Sequence, residues 1–360
     1  MWKSLLLLVL ILAGCSGSSS DGPQLTFADF NSPATPEVLS GSSSSSTTST
    51  PPSSTTTSST TSTTLLVINA PGPVSIMTDQ GLSILEGSGA PTRLVETPVG
   101  AGFEDLQGGY VFQLPGAGSD PAADQRIFWS RAAKPDAQPF LDVEDGYLMR
   151  LWGTAMVAGS PQMILTIADD SESPGELVER LILFDFESGD RVLGEVGGDG
   201  HGPEEIRYGG GRFLLDQRAG VQSFFEFRNE QGAVISLDSN PQTGCAEEAA
   251  CRTHPALDPS GSFLAYLDPT DGDHPELVVL DLDLDEETRR IGLPGDLGEV
   301  LGLEFSGETV FVNRVNPAGE QRAVIVDVTE SSLGEFGLEG YVRFLRQEAD
   351  FEGPISILTD

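Results

Sequence analysis

The sequence predicts an all-β chain built as a ring of repeated sheets. Three observations carry this. From Leu65 onward, short apolar runs recur between Gly, Pro, Asp and Asn, with no helix-period segment of convincing length. A unit made of an apolar strand, an acidic turn and a second short strand returns six times, with successive starts 43 to 54 residues apart. A second series of strands runs ahead of these units. A period of this size, with about four short strands per repeat, is that of a β-propeller, whose blades stand round a central channel.

The six units begin at Leu82, Ile127, Leu181, Phe224, Leu277 and Ala323. The strands ahead of them read "VSIMTD", "YVFQL", "QMILTIAD", "GRFLLD", "SFLAYLD" and "ETVFVN", and "ISILTD" makes a seventh. The first and last are near twins, since "GPVSIMTD" at 72–79 returns as "GPISILTD" at 353–360. A propeller has to close its ring or leave open sheet edges. The simplest closure gives seven blades, with "LLVIN" at Leu65–Asn69 completing the last one. The alternative is six blades, with C-terminal strands completing the first.

The clearest blade lies at 254–294 and opens "HPALDPSGSFLAYL". His254, Asp258 and Ser260 fall close together there, as a hydrolytic constellation would. The local chemistry reads as a turn. Pro259 presets φ, Asp258 and Ser260 can bind nearby amides, and Gly261 accepts positive φ. No G-x-S-x-G frame for a serine nucleophile occurs in residues 65–360. Pro255, the Asp258-Pro259-Ser260-Gly261 box, the strand Phe263–Leu267 and "LVVLDLD" resemble a blade of the TolB-type, WD-repeat-like propellers. The family's box runs Ser-Pro-Asp-Gly; here the first and third residues are exchanged and the Gly is kept.

The N-terminus sets an expected compartment. Lys3 precedes an apolar run from Leu5 to Ala13, too short to span a bilayer as a helix and read as a secretion signal. It ends Leu12-Ala13-Gly14-Cys15, which resembles the lipobox of bacterial lipoproteins. The resemblance implies cleavage after residue 14, lipidation of Cys15 and an anchor on the extracytoplasmic face of the membrane. Residues 15–64, rich in Ser, Thr and Pro, read as a disordered stalk, glycosylated or bare, that lifts the propeller at 65–360 from the lipid. "LTFADF" at Leu25–Phe30 is an apolar island in it, read as disordered, with docking on the propeller or a partner as the alternative. Outside the cytoplasm the other two cysteines, Cys245 and Cys251, are expected to form a disulfide.

The chain carries 55 acidic and 19 basic residues, a formal net charge of −36. Such a surface repels nucleic acid, which is discounted as a partner. It suits solubility and cationic or basic-protein partners.

Three groups of residues are candidate sites. "GGDGHGPEEIRYGGG" at 197–211 resembles the G-x-G-x-G-P segment that joins blades in NHL-type six-bladed propellers. A functional reading recruits Asp199, His201, Glu204 and Glu205 as a binding loop, with His254 beside it. The turn "DPTDGDHPE" gathers Asp268, Asp271, Asp273 and Glu276, oxygen ligands of the kind Ca²⁺ takes, although most such turns are only solvated. "DLDLDEETRRIG" at 281–292 begins like a calcium loop but has Glu286 where that loop needs Gly. Trp129 and Trp152 are offered to the channel or to packing between blades.

The expected function is a binding or scaffolding module of the cell envelope, holding a protein, peptide or glycan and using no cofactor. No residue is assigned a catalytic role. The alternative is a propeller hydrolase or lactonase with a channel cation held by carboxylates and a histidine.

Overall fold

The computed structural model describes residues 25–27, 66–67, 74–345 and 354–357, with breaks at 86–89, 105, 107, 115–125, 132–133, 144–146, 170–178, 187, 198–201, 220–221, 237–252 and 269–273. Among the described residues there is no helix long and apolar enough to cross a membrane.

The described strands form six antiparallel sheets, each built on four strands; in five of them those four follow sequence order from the channel outward. Blade II holds β6 (Ala101–Glu104), β7 (Gly109–Gln113), β8 (Ile127–Arg131) and β9 (Lys134–Val143). Blade III holds β10 (Tyr147–Val157), β11 (Ser160–Asp169), β12 (Glu179–Asp185) and β13 (Gly189–Val196). Blade IV holds β14 (Glu205–Gly209), β15 (Arg212–Ala219), β16 (Gln222–Asn229) and β17 (Val234–Ile235). Blade V holds β18 (Thr253–Leu257), β19 (Phe263–Asp268), β20 (Glu276–Asp281) and β21 (Glu286–Gly292). Blade VI holds β22 (Glu299–Ser306), β23 (Thr309–Val315), β24 (Gln321–Asp327) and β25 (Ser332–Phe336).

Blade I closes the ring and corrects the expected blade number from seven to six. Its outer strands are β3 (Val74–Thr78), β4 (Gly81–Leu85) and β5 (Thr92–Val95). Its inner strand is β26 (Tyr341–Phe344), paired antiparallel to β3 with Tyr341 opposite Met77 and Phe344 opposite Val74. The repeat "PISI", β27 (Pro354–Ile357), starts no blade; it pairs along the outer edge of β25. β2 (Leu66–Val67) then pairs on β27. Both therefore extend blade VI outward. In the same way β1 (Leu25–Phe27) adds a fifth strand to blade II along β9, so this part of the apolar island is docked on the propeller and not disordered.

The core confirms the closure. It falls into six apolar clusters, one at each interface between neighbouring blades. Strand alternation feeds them. Phe213 and Leu215 of β15 pack towards blade III, while Leu214 between them packs towards blade V. Sheets covered on both faces need apolar residues at nearly every position, which is why the second and third strands read as continuous apolar runs.

Buried polar side chains stitch neighbouring blades together. Asn313 of β23 donates to the Val342 carbonyl (2.9 Å) and accepts from the Val342 amide (2.7 Å). Gln113 of β7 does the same to the next blade's inner strand, donating to Met149 O (2.8 Å) and accepting from Leu151 N (2.9 Å). An inner strand has one ladder partner only, and these side chains satisfy backbone groups that the sheet leaves over.

The Asp258–Gly261 turn has the role its residues suggest. Asp258 accepts from the Ser260 amide (3.1 Å) and the Phe263 amide (2.7 Å), and the Ser260 hydroxyl donates to the same carboxylate. Gly261 has φ +72°. The turn packs backbone to backbone on Gly209 and Gly210 of blade IV, and the Gly210 amide donates to Pro259 O (3.0 Å).

Candidate functional site in the central channel

Inner strands face the channel on one side, so a charged residue there points into a narrow, walled space. Alternation sends residues two apart to the same side. Glu205 and Arg207 on β14, and Tyr341 and Arg343 on β26, are such pairs. Glu304 on β22 meets them. Its Oε1 lies 2.7 Å from Arg207 Nη2 and 3.0 Å from Arg343 Nε. Arg207 also donates to Leu303 O at 2.9 Å. Its Nε lies 3.2 Å from Glu205 Oε1, close enough for charge pairing but out of line for a hydrogen bond. The Arg343 guanidinium lies 4.5 Å from the Phe103 ring centroid and 5.6 Å from that of Tyr341. Gly302 has no side chain where the Tyr341 hydroxyl sits.

This network bars the channel. Glu304, Arg343 and Arg207 keep only 8%, 10% and 12% of their side-chain surface. A small cavity of about 100 Å³ lies on one side, towards the ends of the inner strands at Glu104, Tyr208, Phe305 and Phe344. A wider one of about 690 Å³ opens on the other, at the strand beginnings. Arg343, Tyr341 and Glu205 reach its floor, Arg150 and Trp152 line its wall, and Met77, Pro98, Val99, Leu114 and Leu301 give it apolar sides.

The electrostatics follow from enclosure. Glu205 keeps 23% of its side-chain surface towards the cavity. Burial in the ring is still the largest influence on it and raises its pKa above the ordinary 4.5, against the pull of Arg207, Arg343 and Arg150. Burial, then the charge of Glu304, raises the Tyr341 hydroxyl. Arg207 stays a firm cation, because Glu205 and Glu304 outweigh its desolvation.

Of the residues expected to form a binding loop, Glu205 reaches the channel. Glu204 is exposed beside it, its amide bound to Asp216 O at 2.9 Å, and Asp199 and His201 lie outside the described residues. His254, the second residue of the inner strand β18, has φ +54° and is half-buried, but is not among the residues lining either cavity. Asp268 and Glu276 converge on Arg290 Nη1 at 3.2 and 2.8 Å, while Asp271 and Asp273 lie outside the described residues. No group of three metal-ligating side chains occurs among the described residues. Cys15, Cys245 and Cys251 also lie outside them. Trp152 lines both cavities and donates from its indole nitrogen to Thr166 Oγ1 at 2.9 Å. Trp129 packs on Phe140 and Phe186. Arg150, Arg207, Glu304, Tyr341 and Arg343 carried no sequence signal beyond charge or hydroxyl groups set within short apolar strands.

No protein-family model matches the chain. No curated protein matches it in sequence. Among solved structures it is similar to TolB from Acinetobacter baumannii, with a TM-score of 0.53 and 11% identity, over 76% of this chain and 66% of that one. The chain thus spans slightly less than two thirds of TolB's length. It is also similar to the nidogen/laminin complex, with a TM-score of 0.49 and 12% identity, over 77% and 99% of the two chains. A prolyl endopeptidase gives a TM-score of 0.46 and 12% identity, over 78% and 41%. At these identities the likeness is one of fold alone, a β-propeller like that of TolB.

Proposed function

We propose that this chain is a lipid-anchored, extracytoplasmic propeller that binds a protein, peptide or glycan of the cell envelope at the wider mouth of its channel. One observation carries the binding site. The Glu304–Arg207–Arg343 network lies between a 690 Å³ cavity, which Arg343 lines, and a separate cavity of about 100 Å³, so that the wider mouth forms a pocket of its own. Its size and its mixture of apolar walls with a few converging polar groups are those of ligand sites. The channel carboxylates also bear on the hydrolase or lactonase reading. Glu304 and Glu205 both face guanidinium groups at 2.7–3.2 Å, which oppose a second cation between them.

The anchor rests on Leu12-Ala13-Gly14-Cys15 and on the apolar run before it. The pairing of Leu25–Phe27 with β9 supports a short reach, because nine residues separate Cys15 from that attachment. The expected disulfide between Cys245 and Cys251 belongs to the same oxidising compartment.

Two measurements test the proposal. A photo-crosslinking residue at Thr78, on the cavity lining, should capture a ligand in cells where one at Glu330, an exposed turn position, captures none. Equal capture at both positions, or capture at neither, would sink the binding site. Membrane fractionation with mass spectrometry should find a lipidated Cys15 and a soluble Cys15→Ser chain; a soluble wild type would sink the anchor.

A further inference from the structure

We infer that the wider mouth takes a carboxylate set beside an apolar group, and that Arg150 is the residue that receives it. This deepens the binding-module reading and rests on it. Three arginines belong to the channel network, and two are committed. Arg207 and Arg343 hold Glu304, and Arg207 also faces Glu205. Arg150 has no carboxylate partner among the described residues. It makes one hydrogen bond, from Nη1 to the Pro203 carbonyl at 3.2 Å. Its guanidinium lies over the Trp152 ring, 4.8 Å from the centroid.

That arrangement holds the group by one hydrogen bond and one ring and leaves most of its five donors unused. A guanidinium held over an aromatic face with donors to spare is suited to bidentate contact with a carboxylate. Arg150 is exposed and lines the 690 Å³ cavity. Beside it stand Leu114, Leu151, Pro98 and Val99, which suit a hydrocarbon group next to the acid.

Arg150 and Arg343 line this cavity together with Asp79 and Glu205, and Arg343 is held by Glu304. A monoanion on Arg150 meets less repulsion there than a dianionic phosphate, which would face both carboxylates and the field of a chain carrying −36.

The test uses the full chain in detergent and three probes: 3-phenylpropionate, 3-phenylpropionamide and N-acetyl-glycyl-phenylalanine. Binding is read from the Trp152 indole N–H resonance and by calorimetry. The acid is expected to bind at least about tenfold more tightly than its isosteric amide, the discrimination a charge-assisted bidentate pair commonly supplies. Arg150→Gln should abolish that difference while the melting temperature stays unchanged, and Arg150→Lys should keep part of it. Tighter binding of the peptide acid assigns the site to a chain end; equal binding assigns it to a free acid. Acid and amide binding equally at Trp152 would overturn the carboxylate and leave the pocket standing. No perturbation of Trp152 by any probe would overturn both.

Discussion

Arg343 and Glu304 meet 39 positions apart in the chain, Nε to Oε1 at 3.0 Å, on the inner strands of the first and last blades. Arg207 reaches the same oxygen from blade IV, at 2.7 Å. One buried carboxylate therefore ties three blades across the channel. Removing it leaves enclosed Arg343 without this counter-charge and Arg207 with Glu205 alone. Glu304→Gln is expected to destabilise the fold by about 3–5 kcal/mol, the usual loss when one member of a buried charge pair is removed. Urea denaturation measures it. Glu304→Gln with Arg343→Met should recover part of the loss, because fewer charges then stay unpaired; no recovery would mean that the two residues are not coupled.

Blades IV and V touch through backbone at Gly210. A Cβ there would collide with the Ser260 carbonyl oxygen, and φ is +52°. Gly319 has a similar backbone need, φ +85°, but open space where its Cβ would go. Gly319→Ala should cost about 1 kcal/mol for the left-handed conformation. Gly210→Ala should cost more, about 2–4 kcal/mol, because the blade contact has to open as well. Equal melting temperatures for the two variants would show that the turns do not bear on each other.

The outer three strands of each blade are legible in the sequence as a repeating series, whereas inner strands are legible only singly, as after Pro203 and before the Asp258 turn. The two strand series coincide with the second, third and fourth strands; the second and third are covered on both faces and so read as apolar runs, and the fourth follows each across an acidic turn. An inner strand is covered on one side and charged on the other. "YVRF" at 341–344 carries no apolar run for this reason, whereas its near neighbour "ISIL" reads as the start of a seventh blade. Both slots want the same alternating residues. Only pairing distinguishes them: β26 lies on β3, and β27 on β25. The site was hidden by the same feature. Arg207 and Arg343 look like solvent-facing charges until the ring closes around them. Glu205 was singled out because it follows a Gly-Pro turn that begins an inner strand, and that turn chemistry is local.

The enclosure of Glu205 gives stability a pH dependence of definite sign. Its pKa in the fold stands above its ordinary 4.5, with burial as the main cause. The native state therefore binds a proton more tightly than the unfolded chain. This contribution is fully present below the unfolded value and is lost as pH rises through the folded one. Glu205→Gln imitates the protonated form at every pH. The stability of the Gln variant relative to wild type should accordingly increase from pH 4 to pH 8, followed by urea midpoints. A relative stability that fell over this range would mean that pairing with Arg207 outweighs burial.

Closure through β26 predicts how the chain tolerates shortening. A chain ending at Leu345 keeps Tyr341–Phe344 on β3, Arg343 on Glu304 and Val342 on Asn313. It loses only the outer strand of blade VI, which exposes one short edge at the rim. It is expected to stay soluble and to melt in one transition, lowered by a few degrees. A chain ending at Gly340 removes the inner strand of blade I. The β3 edge then faces an open channel, Glu304 keeps only Arg207, Asn313 loses its Val342 partner, and the cluster joining the first and last blades loses Val342. That chain should aggregate or melt without a cooperative transition, as expected of a ring with an unpaired, apolar edge. Circular dichroism and light scattering on the two truncations decide the matter. If loss of 346–360 alone were as damaging as loss of 341–360, the closing strand would be "ISIL" and the six-bladed closure through β26 would fail.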